Sequence, residues 1–145
     1  MGDTSVPRIA LVYVGPRPLA SAELEAMVRD RRAGACVTFT GVVRDGDHGR
    51  EVVRLEYEAH PDASAVLARL VDEFAQAHED LLAVAVAHRT GSLDVGEVAF
   101  VACVSSAHRQ EGFAACQELV DLVKENLPVW KRQVFTDGEE WVNAL

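Results

Sequence analysis

The chain of 145 residues is long enough to bury one hydrophobic core and has the length of one ordinary domain rather than two. Hydrophobic residues make up 49% of it and charged residues 26%, a balance that excludes a disordered or fibrous protein. The net charge of −9 argues against a protein that binds nucleic acid along the phosphate backbone, because that function requires a basic surface. A local basic pocket is compatible with this charge.

The sequence carries no signal for a membrane, a secretion route or a metal. No apolar run approaches the roughly 18 residues of a membrane helix, and residues 1–18 lack the features of a signal peptide, so we expect a cytoplasmic protein. The three cysteines lie far apart, and three of the histidines, His60, His78 and His88, show no ligand spacing. No disulfide framework, metal site or cofactor is therefore predicted.

The first half of the chain predicts a strand, a helix, a hairpin and a second helix. The β-branched run RIALVYV (residues 8–14) predicts a strand, and SAELEAMVRDRR (residues 21–32) has the apolar spacing of a helix. Residues 35–44 and 51–58 are both typical of strands, and the turn-forming DGDHGR between them indicates a hairpin. The apolar residues of 63–80 then form one helical stripe.

The second half predicts two strands, the longest helix and a final strand. Residues 81–89 and 97–107 are strand-like, and the second run is apolar on both faces, which is typical of a central strand. Residues 108–127 form a helix that Pro128 ends, and residues 129–135 return to extended structure. The order of the elements indicates an α+β fold, with helices on a mostly antiparallel sheet and with residues 1–145 in a single domain.

Both lysines of the chain, Lys124 and Lys131, lie in LVKENLPVWKRQVF (residues 122–135), whereas the chain has 12 arginines. An amine loses its proton more easily when it is desolvated or lies beside another cation, whereas a guanidinium group stays charged. One lysine ends a predicted helix and the other follows the Pro128 break, so the two can converge. They are candidates for proton transfer or nucleophilic attack. The alternative is that an arginine-rich composition leaves lysine here by chance.

A candidate anion site lies at the start of the same helix. His108 and Arg109 occupy a helix N-terminus, where unpaired N–H groups and a partial positive charge favour phosphate or carboxylate. Two side chains that simply face solvent would give the same pattern. Arg44 ends a strand before the hairpin loop, a position from which side chains reach into sites, and a surface arginine is the alternative there. His48 in that loop is more typical of a solvated residue.

The length of this helix separates the two groups of candidates. The 16 residues from His108 to Lys124 span about 24 Å at 1.5 Å per residue, so one small substrate cannot touch both ends within one subunit. Either the ends serve different sites, or a second copy of the chain brings its helix start to the lysines of the first. The second hypothesis predicts a symmetric dimer with composite pockets.

Six segments then occur in a defined order and spacing: FTGVVR, LEYEAH, HRTGSL, VSSAHRQEGF, LVKENLPVWKRQVF and DGEEW. In this arrangement, over residues 8 to 142, the chain resembles the large, catalytic subunit of molybdopterin synthase. The resemblance implies an α/β hammerhead-like fold and a sulfurtransferase that converts cyclic pyranopterin monophosphate to molybdopterin. It implies a small ubiquitin-like partner that carries sulfur as a thiocarboxylate on its C-terminal Gly-Gly. It also implies a heterotetramer, in which a central homodimer carries one small subunit at each end.

The same resemblance implies roles for individual residues. Lys124 is expected to meet the thiocarboxylate tail and take part in the transfer, and Lys131 is expected to assist charge stabilisation or proton transfer. Arg44, His108 and Arg109 are expected to bind substrate. The His-Arg pair is expected to come from the neighbouring subunit and to hold the phosphate and the pterin.

Phe39 matches an aromatic residue near the same pocket, and a core position suits it equally well. Two other functions stay open at this point. One is a non-catalytic dimeric scaffold that binds a ubiquitin-like tail and uses the lysines as carboxylate anchors. The other is a regulatory domain that binds a phosphorylated metabolite.

Overall fold

The computed structural model describes residues 6–47 and 49–142. This part of the chain forms three helices, α1 (Ser21–Met27), α2 (Ala63–Ala77) and α3 (Arg109–Asn126). Its nine strands are β1 (Arg8–Gly15), β2 (Ala35–Val42), β3 (Gly46–Asp47), β4 (Arg50–Ala59), β5 (Leu81–Arg89), β6 (Gly91–Asp94), β7 (Val98–Ser106), β8 (Val129–Phe135) and β9 (Gly138–Val142). The α+β prediction is confirmed, and all the predicted strands and helices are present. None of the described helices is long and apolar enough to span a membrane.

The first sheet has the strand order β1-β5-β7-β2. β1 runs parallel to β5, and the other neighbours are antiparallel. α2 and α3 cover one face of this sheet through a core that includes Leu67, Val84 and Leu119. α1 covers the other face, over small side chains such as Ala85 and Cys103. The prediction of a central strand within residues 97–107 is confirmed, because all but the first residue of β7 are buried.

The second sheet has the order β3-β4-β8-β9, and β6 also pairs with β4. All of its pairs are antiparallel. A second cluster of buried side chains, including Leu55, Leu93 and Phe135, packs with Ala99 of β7 and so joins the two sheets. The predicted hairpin between residues 35–44 and 51–58 is wrong, because β2 pairs with β7 while β4 pairs with β8.

α1 ends at Met27, five residues before the predicted end, and side chains from other parts of the fold bind the carbonyl groups there. The guanidinium of Arg8 donates to the carbonyls of Met27 and Arg29, at 3.0 and 3.3 Å. The buried hydroxyl of Ser105 donates to the carbonyl of Val28 at 2.7 Å. These side chains satisfy carbonyl groups that have no N–H partner once the helix has ended.

Candidate active site

Lys124 stands in the last turn of α3, and its ammonium group lies over the ring of Phe39. The distance from Nζ to the ring centroid is 5.8 Å, within the range of a cation–π interaction. Phe39 is supplied by β2 and is half-buried. Its ring packs against Phe100 of β7 with the two centroids 5.7 Å apart. Phe39 therefore belongs to the core on one side and supports the lysine on the other.

Lys131 approaches the same region from the second sheet. In the ladder between β4 and β8 it lies directly opposite Tyr57, and opposed residues of an antiparallel pair share one face of the sheet. Burial raises the pKa of Tyr57 to about 12, and its ring meets that of His88 edge-on with centroids 5.0 Å apart. Because His88 belongs to β5, the half-buried Lys131 lies on the face that is turned toward the first sheet.

Four rings connect the positions of the two lysines, and we call Phe39, Phe100, His88 and Tyr57 the aromatic floor. Phe100 stacks on His88 at a centroid distance of 5.7 Å. The rings therefore form an unbroken series from Phe39 through Phe100 and His88 to Tyr57. All these distances fall in the range of favourable aromatic pairs. The structure thus brings Lys124 and Lys131 to one floor, the first over Phe39 at one end and the second opposite Tyr57 at the other.

His88, like Tyr57 and Phe100, is a member of this floor that the sequence did not single out as a site residue. Its side chain is 1% exposed, and its Nδ1 lies 2.8 Å from the carbonyl oxygen of Arg89. A carbonyl can only accept, so Nδ1 carries the proton and Nε2 carries the lone pair of a neutral ring. Burial lowers the pKa of His88 to about 4; the Arg89 bond opposes this shift and the charge of Lys124 adds to it. A polar residue at the end of the apolar run LLAVAVAH was the available sequence signal.

The opposite end of α3 is basic. His108, Arg109 and Gly34 line a concavity of about 500 Å³, and the two basic side chains are exposed. A neighbouring concavity of about 530 Å³ shares Gly34 and is lined by Arg29, Asp30 and Arg31. The three arginines of the two concavities outnumber the one carboxylate, and in a chain of net charge −9 they create a local surface that is suited to an anion.

Buried groups at the end of β7 hold this basic region in place. The hydroxyl of Ser106 donates to the carbonyl of His108 at 2.6 Å, which fixes the turn before α3. The N–H of Gly34 donates to the carbonyl of Ser106 at 3.0 Å. A Cβ atom on Gly34 would lie 2.5 Å from the carbonyl oxygen of Ala107, so glycine is required for this close approach. The basic concavities are therefore built on well-packed backbone.

The structure does not bring the basic pair to the lysines within one chain. α3 is continuous, so His108 and Lys124 are separated by about 24 Å along its axis. Arg44 is exposed and lies two residues beyond the end of β2, the strand that carries Phe39. His48 lies outside the described residues. Among the residues that the structure does describe, no three His, Cys, Asp or Glu side chains are grouped as metal ligands.

Comparison with known proteins places this geometry in a family. The family model described as MoaE protein matches residues 14–126. The chain belongs to the MoaE family. A relative from Bacillus subtilis, named molybdopterin synthase catalytic subunit, is 40% identical over 126 residues, which are 86% of this chain and 80% of the relative. A rice relative of the same name is 44% identical over 115 residues, and the match spans 59% of its length.

Solved structures of MoaE relatives share the fold. A crystal structure of molybdopterin synthase from Staphylococcus aureus has a TM-score of 0.83 and 28% identity, with 98% of this chain and 99% of that one covered. A complex of subunits 1 and 2 of molybdopterin-converting factor from Helicobacter pylori has a TM-score of 0.71 over 90% of each chain. At 18% identity, that second likeness concerns the fold alone. The family and the enzyme class predicted from the six segments are confirmed.

Proposed function

We propose that this chain is the catalytic subunit of a molybdopterin synthase. It converts cyclic pyranopterin monophosphate to molybdopterin with sulfur from the C-terminal thiocarboxylate of a small ubiquitin-like subunit. The observation that carries the proposal is the pair of lysines at the aromatic floor, in a member of the MoaE family. A thiocarboxylate is an anion at neutral pH, and two cations above a largely dry floor attract an anion more strongly than they would in water.

In each transfer the sulfur forms a bond to a side-chain carbon of the pterin while a carbon–oxygen bond of the substrate breaks. Water then cleaves the carbon–sulfur bond of the carrier and supplies the oxygen that leaves it as an ordinary carboxylate. Two carriers supply the two sulfurs of one dithiolene. Sulfur moves without a change in oxidation state, so the reaction needs no oxidant or reductant. Lys124 meets the tail and takes part in the transfer, while Lys131 stabilises charge or moves a proton. An amine suits these roles because it can give up and recover a proton, which a guanidinium group cannot do at physiological pH.

The basic end of α3 supplies the complementary half of the pocket. His108 and Arg109 of a neighbouring copy hold the phosphate and the pterin, and Arg44 and Phe39 contribute from the same chain as the lysines. The separation of about 24 Å between the two ends of α3 supports an arrangement in which two copies share each pocket. The active form is thus a homodimer with one small subunit at each end.

The decisive experiment compares two forms of the small subunit in a reconstituted conversion assay. The wild-type chain is mixed with cyclic pyranopterin monophosphate and with either a thiocarboxylated or a plain carboxylate partner. Product is expected only with the thiocarboxylated partner. Binding of that partner without product would support a non-catalytic scaffold instead. Binding of the pterin phosphate without any affinity for the partner would support a regulatory domain.

Substitutions of Lys124 separate the amine from its charge. Lys124→Ala and Lys124→Arg are both expected to lose at least about 100-fold in turnover, because arginine keeps the charge but not the removable proton. Lys124 is exposed, so neither change should alter the fold. Arg69→Ala is the matched control, since it removes an exposed helical cation that pairs only loosely with Glu73 at 4.0 Å. Full turnover in Lys124→Ala would defeat the catalytic assignment.

A mixing experiment tests the shared pocket. His108→Ala and Lys124→Ala chains are each inactive in this proposal, yet a mixed dimer contains one pocket with both residues intact. Random exchange makes half of the dimers mixed, each with one working pocket of two, so about a quarter of wild-type activity should return. Native mass spectrometry verifies the exchange. Mixed dimers that form and stay inactive would overturn the composite pocket.

A further inference from the structure

His88 occupies the middle of the aromatic floor, at a buried position that follows a run of apolar residues along the strand. It belongs to a strand of buried alanine, valine and leucine side chains. Burial of a polar ring costs free energy unless it is hydrogen-bonded, and the one hydrogen bond described for this ring goes to the backbone of the next residue. That bond fixes the rotation of the ring about its side-chain bonds. The ring is therefore aligned as well as buried.

The carbonyl that holds the ring is itself part of a fixed strand end. Arg89 donates from Nη1 to Glu97 at 3.0 Å and from Nε to the carbonyl of Pro16 at 3.3 Å. Its guanidinium therefore ties β5 to the segment before β7 and to the end of β1. The orientation of the His88 ring is thus set by backbone at the edge of the first sheet rather than by a mobile side chain.

The neutral state of the ring matters to the lysines. A cation in the middle of the floor would repel the ammonium group of Lys124, since these two groups interact electrostatically. The ring also contacts Phe100 and Tyr57, so any change in its tilt passes to both neighbours. Phe100 in turn supports Phe39, over which Lys124 stands. One uncharged, oriented ring thus connects the surfaces beneath both amines.

We propose that His88 is a positioning residue for sulfur transfer, whose uncharged ring, anchored on the Arg89 carbonyl, sets the level and tilt of the aromatic floor beneath Lys124 and Lys131. This inference rests on the proposed function for its catalytic consequence. A displaced floor misplaces the amines relative to the thiocarboxylate, and errors of about 1 Å in such alignment cost about 100-fold in rate. Binding of the partner tail uses a much larger surface and should change little.

The first test does not depend on activity. The chain has only two lysines, so reductive ¹³C-methylation gives two lysine signals in NMR spectra, and Lys131→Arg assigns them. His88→Phe keeps a ring but removes the donor, whereas His88→Asn keeps a donor near the Nδ1 position but removes the ring. The signal of Lys124, which lies over Phe39, should move in both variants. Signals of both lysines that superimpose on those of the wild type would overturn the proposal.

Leu24→Ala is the matched control for general destabilisation. Leu24 is buried in α1 and packs in the core cluster on the opposite face of the first sheet, which contains none of the four rings, so its truncation weakens the core away from the floor. It should leave both lysine signals in place. Circular dichroism shows which variants are folded, and either His88 variant suffices for the comparison if the other does not fold.

The second test is kinetic. In His88→Phe, kcat should fall about tenfold or more, while KM for the thiocarboxylated partner stays within about twofold of the wild-type value. Leu24→Ala should retain both parameters per folded chain. A role in stability alone would leave kcat per folded chain unchanged in His88→Phe, and that result would overturn the positioning role. If the wild-type chain makes no molybdopterin, the proposed function is wrong. The NMR comparison still decides whether His88 fixes the level and tilt of the aromatic floor.

Discussion

Acidification from pH 7 to pH 5 perturbs the buried ring of His88 in a way that can be worked out in advance. Burial lowers its pKa in the folded chain from 6.5 to about 4. Below pH 6.5 the unfolded chain therefore binds a proton that the folded chain does not accept until about pH 4. The free energy of unfolding is therefore unaffected by this histidine above pH 6.5, and it decreases as the pH falls from 6.5 to about 4.

The size of the loss follows from the two pKa values of His88. Linkage between protonation and folding gives a decrease of about 2 kcal/mol in the free energy of unfolding between pH 7 and pH 5. That is a large share of the roughly 5–15 kcal/mol that stabilises a typical domain. Tyr57 does not titrate here, because its pKa is raised to about 12. The carboxyl groups of Glu97 and Asp137 have lowered pKa values and titrate mainly below this window.

Urea unfolding at pH 7, 6 and 5 measures this effect in the wild type and in His88→Phe. The variant lacks the titrating ring, so its loss of stability over the same range should be smaller by about 2 kcal/mol. All other ionisable groups are common to the two proteins, and the comparison therefore isolates His88. Equal losses in the two proteins would refute the reasoning, because they would mean that the ring is protonated as easily in the folded chain as in the unfolded one.

Two further predictions concern packing, and thermal unfolding measures both. Gly112→Ala would usually stabilise a helix by about 1 kcal/mol, but here a Cβ atom would lie 2.9 Å from the Ser106 hydroxyl and 3.0 Å from Val37. We expect a net loss of about 1 kcal/mol, whereas Gly46→Ala, with no atom within 4 Å, should be nearly neutral. An increase in stability for Gly112→Ala would contradict this packing. Leu67→Ala should cost about 2–5 kcal/mol, because the side chain of Leu67 is fully buried on the core face of α2. A loss below about 1 kcal/mol would mean that the core closes the cavity.

The sequence by itself determined the local elements and the family. The 3.6-residue spacing and Pro128 predict α3 to within a residue of its observed ends, because periodicity and the proline break are local properties. The isolated pair of lysines and the six segments were likewise readable along the chain. They indicate which residues are candidates for catalysis and substrate binding. The length of the predicted helix also shows that His108 and Lys124 are far apart within one chain.

Only the tertiary structure decided how the strands pair and what lies beneath the lysines. β4 prefers β8 and β6 to β2, since pairing depends on how whole sheets bury their faces rather than on nearness in sequence. The aromatic floor is assembled from positions 39, 57, 88 and 100, which lie on four strands of two sheets. No local pattern reports such a contact. His88 is buried between Phe100 of the first sheet and Tyr57 of the second, and that arrangement is a property of the packed molecule.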